Sequence, residues 1–434
     1  MKDLINVGLI GLGTVGSGVY KILTTHKEDF RRKVGADLII KAIAEKDPVK
    51  IKAIGADKNL ITDAKTLIEN SDIDIVVEVI GGIEPAKNLI LEALKKGKHV
   101  VTANKELLAS HGKEILETAD KKNVDIFFEA SVGGGIPIIH PLKECLASNK
   151  ILKIMGIVNG TTNFILTRMS EEGCSFEEAL KEAQKRGYAE RDPSADIEGR
   201  DAAAKIAILA SIAFNSRVTA SDVSVEGISK ISAKDIQNAK EMGYVVKLLA
   251  VAKEANKELE VRVNPAMIPI AHPLASVNGV YNAIFVEGDS VGEVMFFGQG
   301  AGSMPAASAV VGDVIEVARN IRYGSSGKIG CTCFRDLNVK SIDEISSKYY
   351  LLMKAADEPG VLAKIAKVFG DNDVSLASVI QKGPQVSTLR GAADLVFITH
   401  LVKEKNFRTA LRQIGELDVT SKICNVIRVE ETDE

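Results

Sequence analysis

One lysine sits where a lysine is costly. The stretch Ala202–Phe214, AAAKIAILASIAF, is apolar on nearly every face, so its helix should be buried all round. Lys205 inside it must give up hydration, which lowers a lysine's pKa unless a counter-charge is near. Asp201 lies one helical turn earlier, on the same face, and can supply that charge. Four more carboxylates, Glu190, Asp192, Asp196 and Glu198, crowd just upstream, with Gly187 and Gly199 as breaks. A lysine of tunable basicity beside carboxylates suits proton transfer and recognition of an amino group. A purely structural Asp–Lys pair fits the same spacing. A second lysine, Lys105, begins a helix after the strand His99–Thr102. The helix dipole disfavours a cation there, so the position invites a functional explanation, with a solvated lysine of the first helical turn as the alternative.

The other chemistry-bearing pattern is Gly11-Leu12-Gly13-Thr14-Val15-Gly16, directly after the apolar run Ile5–Ile10 and opening a helix. Gly11 permits a tight turn, Gly13 lets backbone N–H groups approach a pyrophosphate, and Gly16 allows close helix–sheet packing. At the end of the second strand stand Glu45, Lys46 and Asp47. An acid there favours the ribose diol of NAD and a base the 2′-phosphate of NADP; with both present the choice stays open. Three strand ends, at Gly11–Gly13, Gly81-Gly82 and Thr102–Lys105, should meet in one crevice at the carboxyl edge of a parallel sheet. Ser131-Val132-Gly133-Gly134-Gly135-Ile136 reads as a loop with exposed carbonyls or as a flexible turn.

The elements that must hold these residues follow from periodicity. Short apolar runs at Ile5–Ile10, Leu38–Ala44, Ile73–Ile80, His99–Thr102 and Ile126–Ala130 alternate with helical patterns, giving a dinucleotide-binding Rossmann unit over residues 1–130. The helix of small residues at Met304–Arg319 lies in a segment, 302–330, expected to complete it. Residues 131–301 read as a less regular α+β unit for catalysis and dimerisation, with strands around Glu260–Val263 and Ala283–Glu287. A mostly polar stretch from Asn320 to Ser347, 331–347 above all, reads as a linker. Residues 348–434 then follow the order βαββαβ, a small ferredoxin-like unit whose first helix shows Val361, Leu362, Ile365 and Phe369 on one face. The fold class is α/β with this α+β tail.

Composition narrows the function. The 434 residues carry a net charge of −3 with no basic block, which argues against a nucleic-acid partner. Aromatic residues are 5% of the chain and Trp is absent, too few for base-stacking platforms, while 36 glycines fit close backbone approach. The five cysteines, Cys145, Cys174, Cys331, Cys333 and Cys424, form no disulfide framework, and Cys331-Thr332-Cys333 is too tightly spaced for the usual zinc pairs. The six histidines show no ligand spacing and no apolar run reaches the ~20 residues of a membrane span. A soluble, cytoplasmic protein with no membrane partner is expected.

With these residues in hand, the chain resembles homoserine dehydrogenase, in the single-function form with a C-terminal ACT domain. The resemblance rests on GLGTVGSGV (11–19), GGIEPA (81–86), HVVTANK (99–105), EASVGGGIPII (129–139), NGTTNFIL (159–166), GYAERDPSADIEGRDAAAK (187–205) and GQGAGSMPAA (298–307). It implies reversible oxidation of L-homoserine to L-aspartate 4-semialdehyde with NAD or NADP. Lys205 is implied as the proton donor and acceptor on the substrate oxygen, with Lys105 assisting. Glu190 and Asp201 would hold the amino group and position the lysine, with Asp196 nearby. The cofactor would meet Gly11, Leu12, Gly13, Thr14, Val15, Gly16, Glu45, Lys46, Gly81, Thr102, Lys105, Gly187 and Gly302. A sodium ion maps onto side-chain or backbone oxygens of Glu129, Val132, Gly134 and Ile136. A homodimer or homotetramer is implied, with feedback by an amino acid, threonine first, at Asp357, Gly360 and Asn372; an ACT unit serving only assembly is the alternative. One departure concerns the cofactor: many NADP-using relatives carry Arg near the end of the second strand, where this chain has Lys46 beside Glu45.

Overall fold

The computed structural model describes residues 2–327, 330–382 and 392–430. Residues 328–329, within the polar stretch expected as a linker, and 383–391 and 431–434 of the expected C-terminal unit lie outside the described residues. Six strands, β1 (Leu4–Ile10), β2 (Asp37–Ala44), β3 (Ile61–Thr62), β4 (Ile75–Glu78), β5 (His99–Thr102) and β6 (Ile126–Phe127), form a parallel sheet of order β3-β2-β1-β4-β5-β6. The order reverses beside β1, so a crevice opens there at the carboxyl edge. Helices α1 (Thr14–Thr25), α2 (Lys27–Val34), α3 (Pro48–Ile54), α4 (Ala64–Glu69), α5 (Ala86–Lys95) and α6 (Lys105–Lys122) connect the strands. β4 is shorter than its apolar run because Gly81 and Gly82 adopt positive φ and turn the chain over the sheet edge. β6 ends at Phe127, not at Ala130. The Glu129 N–H donates to Asp313 at 2.8 Å, and Glu129–Ser131 coils into a 3₁₀ turn.

The middle of the chain contains more sheet than its pattern implies. Here β7 (Ile151–Ile157), β8 (Ser224–Val225), β9 (Tyr244–Ala255), β10 (Glu258–Pro269), β11 (Tyr281–Gly288) and β12 (Gly292–Gln299) accompany α7 (Gly160–Glu172), α8 (Phe176–Lys185), α9 (Ser194–Ile197), α10 (Arg200–Ala213) and α11 (Ala233–Glu241). Strands β12-β11-β7-β9-β10 pair antiparallel throughout. β9 is buried on both faces through Val246–Ala252, so it lacks the alternation that marks a half-buried strand. α12 (Ser303–Tyr323) returns to the first sheet and packs on α1, where Ser303 and Ala307 crowd Gly18.

The stretch after α12 is tied down. Asn320–Tyr323 ends that helix, Arg335 forks onto both oxygens of Glu254 at 2.8 Å, and β13 (Asn338–Val339) pairs with β10. Then follow β14 (Ser346–Ala356), α13 (Val361–Asp371), β15 (Leu376–Lys382), β16 (Ala392–Thr399), β17 (Val402–Lys403), α14 (Glu404–Gly415) and β18 (Thr420–Val429). The sheet order β18-β14-β16-β15 is the ferredoxin-like arrangement. Val361, Ile365 and Phe369 are buried as expected, whereas Leu362 lies off that face and is exposed. The two antiparallel arrays are one sheet: β18 pairs in parallel with β10 at Ala266↔Arg428 and Met267↔Val429. Arg262 of β10, fully buried, donates to Glu430 at 2.5 Å, to Glu260 at 2.8 Å and to Asn264 at 2.6 Å across this seam.

Candidate active site

The glycine loop fits a dinucleotide. Gly11 has φ 101°, a Cβ on Gly16 would fall 2.0 Å from the Gly11 carbonyl oxygen, and a Cβ on Gly13 would meet nothing within 4 Å. Gly16 thus serves close packing, while Gly13 caps α1 and faces open space where a pyrophosphate can approach. Leu12 is buried, and Thr14 and Val15 begin the helix. Glu45 has both carboxylate oxygens on backbone N–H groups, from Leu12 at 2.8 Å, Lys46 at 2.8 Å and Asp47 at 3.0 Å. Burial works against its charge, but these donors hold it below the usual carboxylate range. Glu45 therefore braces the glycine loop, a role its position alone did not reveal.

The neighbouring strand ends are fixed by a second acid, this one fully buried. Glu78 accepts from the Ile80 and Gly81 N–H groups and from the Thr102 hydroxyl, the last at 2.6 Å. The Thr102 oxygen in turn accepts from the Asn104 N–H, and Asn104 reaches the Gly82 carbonyl at 2.6 Å while capping α6. This network sets the first turn of α6, and with it Lys105.

Lys105 and Lys205 converge on one carboxylate. Lys105 Nζ stands 3.1 Å from Asp201 Oδ1, and Lys205 Nζ donates to Asp201 Oδ2 at 2.7 Å and to the Val158 carbonyl at 2.6 Å. Lys205 is 8% exposed, in a helix buried from Ala202 to Ile212. Burial opposes the charge of Asp201, but Lys205 and Lys105 outweigh it and keep the carboxyl far below its ordinary pKa. Burial likewise opposes the Lys105 ammonium, and Asp201 outweighs it, so that pKa is raised. Asn159 closes the cluster: its amide donates to Asp196 at 2.7 Å and to Asp201 at 2.9 Å, and its oxygen caps α7 through the Thr162 N–H. Asn159 was missed as a site residue, although an Asn opening the Asn-Gly-Thr-Thr run carried an N-cap signal.

Other expected positions are more scattered. Glu190 is exposed, and its carboxylate forms no hydrogen bond or ion pair among the described residues; Asp192 caps the turn at Ser194. Gly187 is an exposed glycine with φ 75°, and Gly302, φ 123°, caps α12 beside Ser303, whose hydroxyl donates to the Thr14 carbonyl at 2.6 Å. Lys46 is exposed, with no side-chain partner among the described residues.

The glycine-rich loop lies against the end of β12. A Cβ on Gly134 would fall 2.5 Å from the Gly300 carbonyl oxygen, and the Gly135 N–H donates to the Gln299 carbonyl at 3.2 Å. The Glu129 carboxylate accepts from the backbone N–H groups of Ile138, Ile139 and His140, just past this loop. Glu129, His140 and Asp313 bring ligand-type atoms within 4.8 Å of one another. His140 Nε2 lies 3.1 Å from Asp313, whose carboxyl burial pushes up to about 6.

In the C-terminal unit, Asp357 and Gly360 precede α13, and Asp357 accepts from Gln381 at 2.8 Å. Asn372 follows the other end of that helix and donates to Val368 at 2.8 Å and Gln413 at 2.7 Å. Within one chain the helix separates it from Asp357 and Gly360. No described helix is long and apolar enough to cross a membrane.

The chain matches known proteins along nearly its whole length. Residues 11–129 match the NAD-binding domain of homoserine dehydrogenase, 137–315 match the homoserine dehydrogenase family itself, and 349–419 match the ACT domain. The chain is similar to the homoserine dehydrogenase of Bacillus subtilis, 44% identical over 98% of both chains. It is also similar to the crystal structure of a homoserine dehydrogenase from Thiobacillus denitrificans, 40% identical with a TM-score of 0.94 over 99% of this chain and 98% of that one. A hyperthermophilic archaeal homoserine dehydrogenase mutant in complex with NADPH is 30% identical, with a TM-score of 0.62, over 72% of this chain and 97% of that one. The chain belongs to the homoserine dehydrogenase family of NAD(P)-dependent oxidoreductases and carries a C-terminal ACT domain.

Proposed function

We propose that Lys205 exchanges the proton with the substrate oxygen and that Lys105 assists it, in the interconversion of L-homoserine and L-aspartate 4-semialdehyde. The observation that carries this reading is Asp201 shared by two lysines, one of them on the helix that begins at the carboxyl edge of the NAD-binding sheet. The bound nicotinamide supplies or takes the hydride. In the reductive direction the Lys205 ammonium, aimed by Asp201 and the Val158 carbonyl, gives a proton to the aldehyde oxygen as its carbon becomes CH₂. In the oxidative direction the same nitrogen, once neutral, takes the hydroxyl proton. Lys105 keeps its charge through Asp201 and steadies the developing alkoxide. Asp196 and the exposed Glu190 are left for the substrate ammonium.

The remaining assignments belong to the same proposal. Gly11 to Gly16, Gly81, Thr102 and Gly302 contact the cofactor, with Gly187 beside it, and Lys46 rather than the occupied Glu45 is free to meet a 2′-phosphate. Sodium would be held by backbone oxygens of Glu129, Val132, Gly134 and Ile136, since the Glu129 carboxylate is committed to N–H donors. The domain division is 1–130 with 302–330, then 131–301, then the 348–434 unit, which binds threonine near Asp357 and Gly360 in a homodimer or homotetramer of a cytoplasmic enzyme. Steady-state assay of Lys205→Ala tests the central claim. Turnover should fall about 10²–10⁴-fold while NADPH still binds, and near-normal turnover would remove Lys205 from the chemistry.

A further inference from the structure

Beyond the two lysines, helices α6 and α10 line a small, partly open cavity. Leu108 and Ile208 line it, each three residues past its helix's lysine, and Cys331, Cys333, Arg217 and Lys143 complete the wall. Its free space of about 30 Å³ admits two water-sized atoms and little more. Arg217 donates to Cys331 Sγ at 3.0 Å, and Cys333 Sγ lies 3.6 Å from the Ser211 carbonyl on α10. Lys143 stands over the Phe128 ring at 5.1 Å and faces both sulfurs. None of these groups takes part in the reaction proposed above.

The two sulfurs are not equivalent. The Cys333 thiol and then the Arg217 guanidinium favour the Cys331 thiolate against its burial, while Cys331 and burial keep Cys333 protonated. A half-buried thiolate beside a cation, with a protonated thiol two residues away, is the arrangement of an attacking and a resolving cysteine.

We propose that Cys331 and Cys333 form a hydroperoxide-reactive dithiol in this cavity. The Cys331 sulfur attacks one oxygen of hydrogen peroxide, the O–O bond breaks, and hydroxide leaves with a proton from the Lys143 ammonium as water. Cys331 becomes a sulfenic acid. Cys333 then attacks that sulfur, its thiol proton and the departing hydroxide form a second water, and a Cys331–Cys333 disulfide results. The two thiols lose two electrons and the peroxide gains them. The disulfide takes the thiolate from Arg217 and the Cys333 thiol from Ser211, on the helix that bears Asp201 and Lys205.

Alkylation and mass mapping of the full-length protein test this. At pH 6.5, iodoacetamide should modify Cys331 at least tenfold faster than exposed Cys145, and Arg217→Leu should remove that advantage. Dilute hydrogen peroxide should cost the Cys331–Cys333 peptide two hydrogens. Cys333→Ser should instead accumulate a dimedone adduct on Cys331, and Cys331→Ser should show neither product. Equal alkylation of Cys331 and Cys145, or peroxide treatment that leaves the pair reduced while other cysteines oxidise, overturns the proposal.

Discussion

Asn159 and Lys205 meet on the same oxygen. The Asn159 amide donates to Asp201 Oδ2 at 2.9 Å and the Lys205 ammonium donates to it at 2.7 Å. One residue thus begins helix α7, ties down Asp196 and fixes the carboxylate that aims the buried lysine.

Asn159→Ala should therefore lower kcat roughly ten- to a hundredfold while the cofactor Kd stays put. It should also cost about 1 kcal/mol of stability through the lost cap. Asn159→Ser separates the effects: a serine caps as well as an asparagine but cannot reach both carboxylates. Denaturant unfolding should find the Asn159→Ser variant near wild-type stability, with kcat still low.

The second and third glycines of the loop should respond oppositely to the same methyl group. Gly13→Ala meets nothing in the protein and should fold normally, with a raised KM for the cofactor. Gly16→Ala drives a carbon into the Gly11 carbonyl and should lose about 1–3 kcal/mol before any cofactor is added. Thermal denaturation of the apo variants, beside cofactor titration, distinguishes the two.

The ion cluster sets a pH window. Asp201 has a depressed pKa, so its contribution is fully present above the unfolded value near 3.9 and is lost only as pH falls through the lower folded value. Lys105 has a raised pKa, so its contribution is fully present below about 10.4 and is lost as pH rises through the higher folded value. The stability gap between wild type and Asp201→Asn should stay flat between about pH 4 and 10 and shrink on both sides. A gap that changes steeply around pH 7 would assign the pair different charges.

Threonine should inhibit the wild-type enzyme through the C-terminal unit. Asp357→Ala should raise the threonine concentration for half inhibition about tenfold, a loss of roughly 1.4 kcal/mol, with basal turnover unchanged. Equal threonine response in the two proteins would move the effector elsewhere.

Much of this site was legible in the sequence because its signals are local. Lys205 sits four residues from its partner in an unmistakably apolar helix, and Gly11, Gly13 and Gly16 lie within a single turn. The βαββαβ order was equally plain, since each element is short and bounded by turn residues. What escaped depends on separation. Glu45 reaches back 33 residues to Leu12, Asn159 reaches 42 residues to Asp201, and no spacing rule links them. Strands β7, β9 and β12 escaped for other reasons: β7 and β9 are buried almost throughout, and β12 is largely exposed along an edge. Neither case shows clear apolar alternation against a single core.

The outer edge of β10 is covered by three short pieces from distant parts of the chain: β8 at Arg262 and Val263, β13 at Glu258 and Leu259, and β18 at Ala266 and Met267. Covering by pieces imposes an order in time. A chain emerging from the ribosome has β9 and β10 in hand long before β18 is made, and the Glu430 N–H that bonds the Met267 carbonyl follows later still. Until then this strand edge is open to pairing with another nascent chain. Strand β18 is thus a seal on synthesis, and a message truncated before it should yield a chain with that edge open and a greater tendency to aggregate.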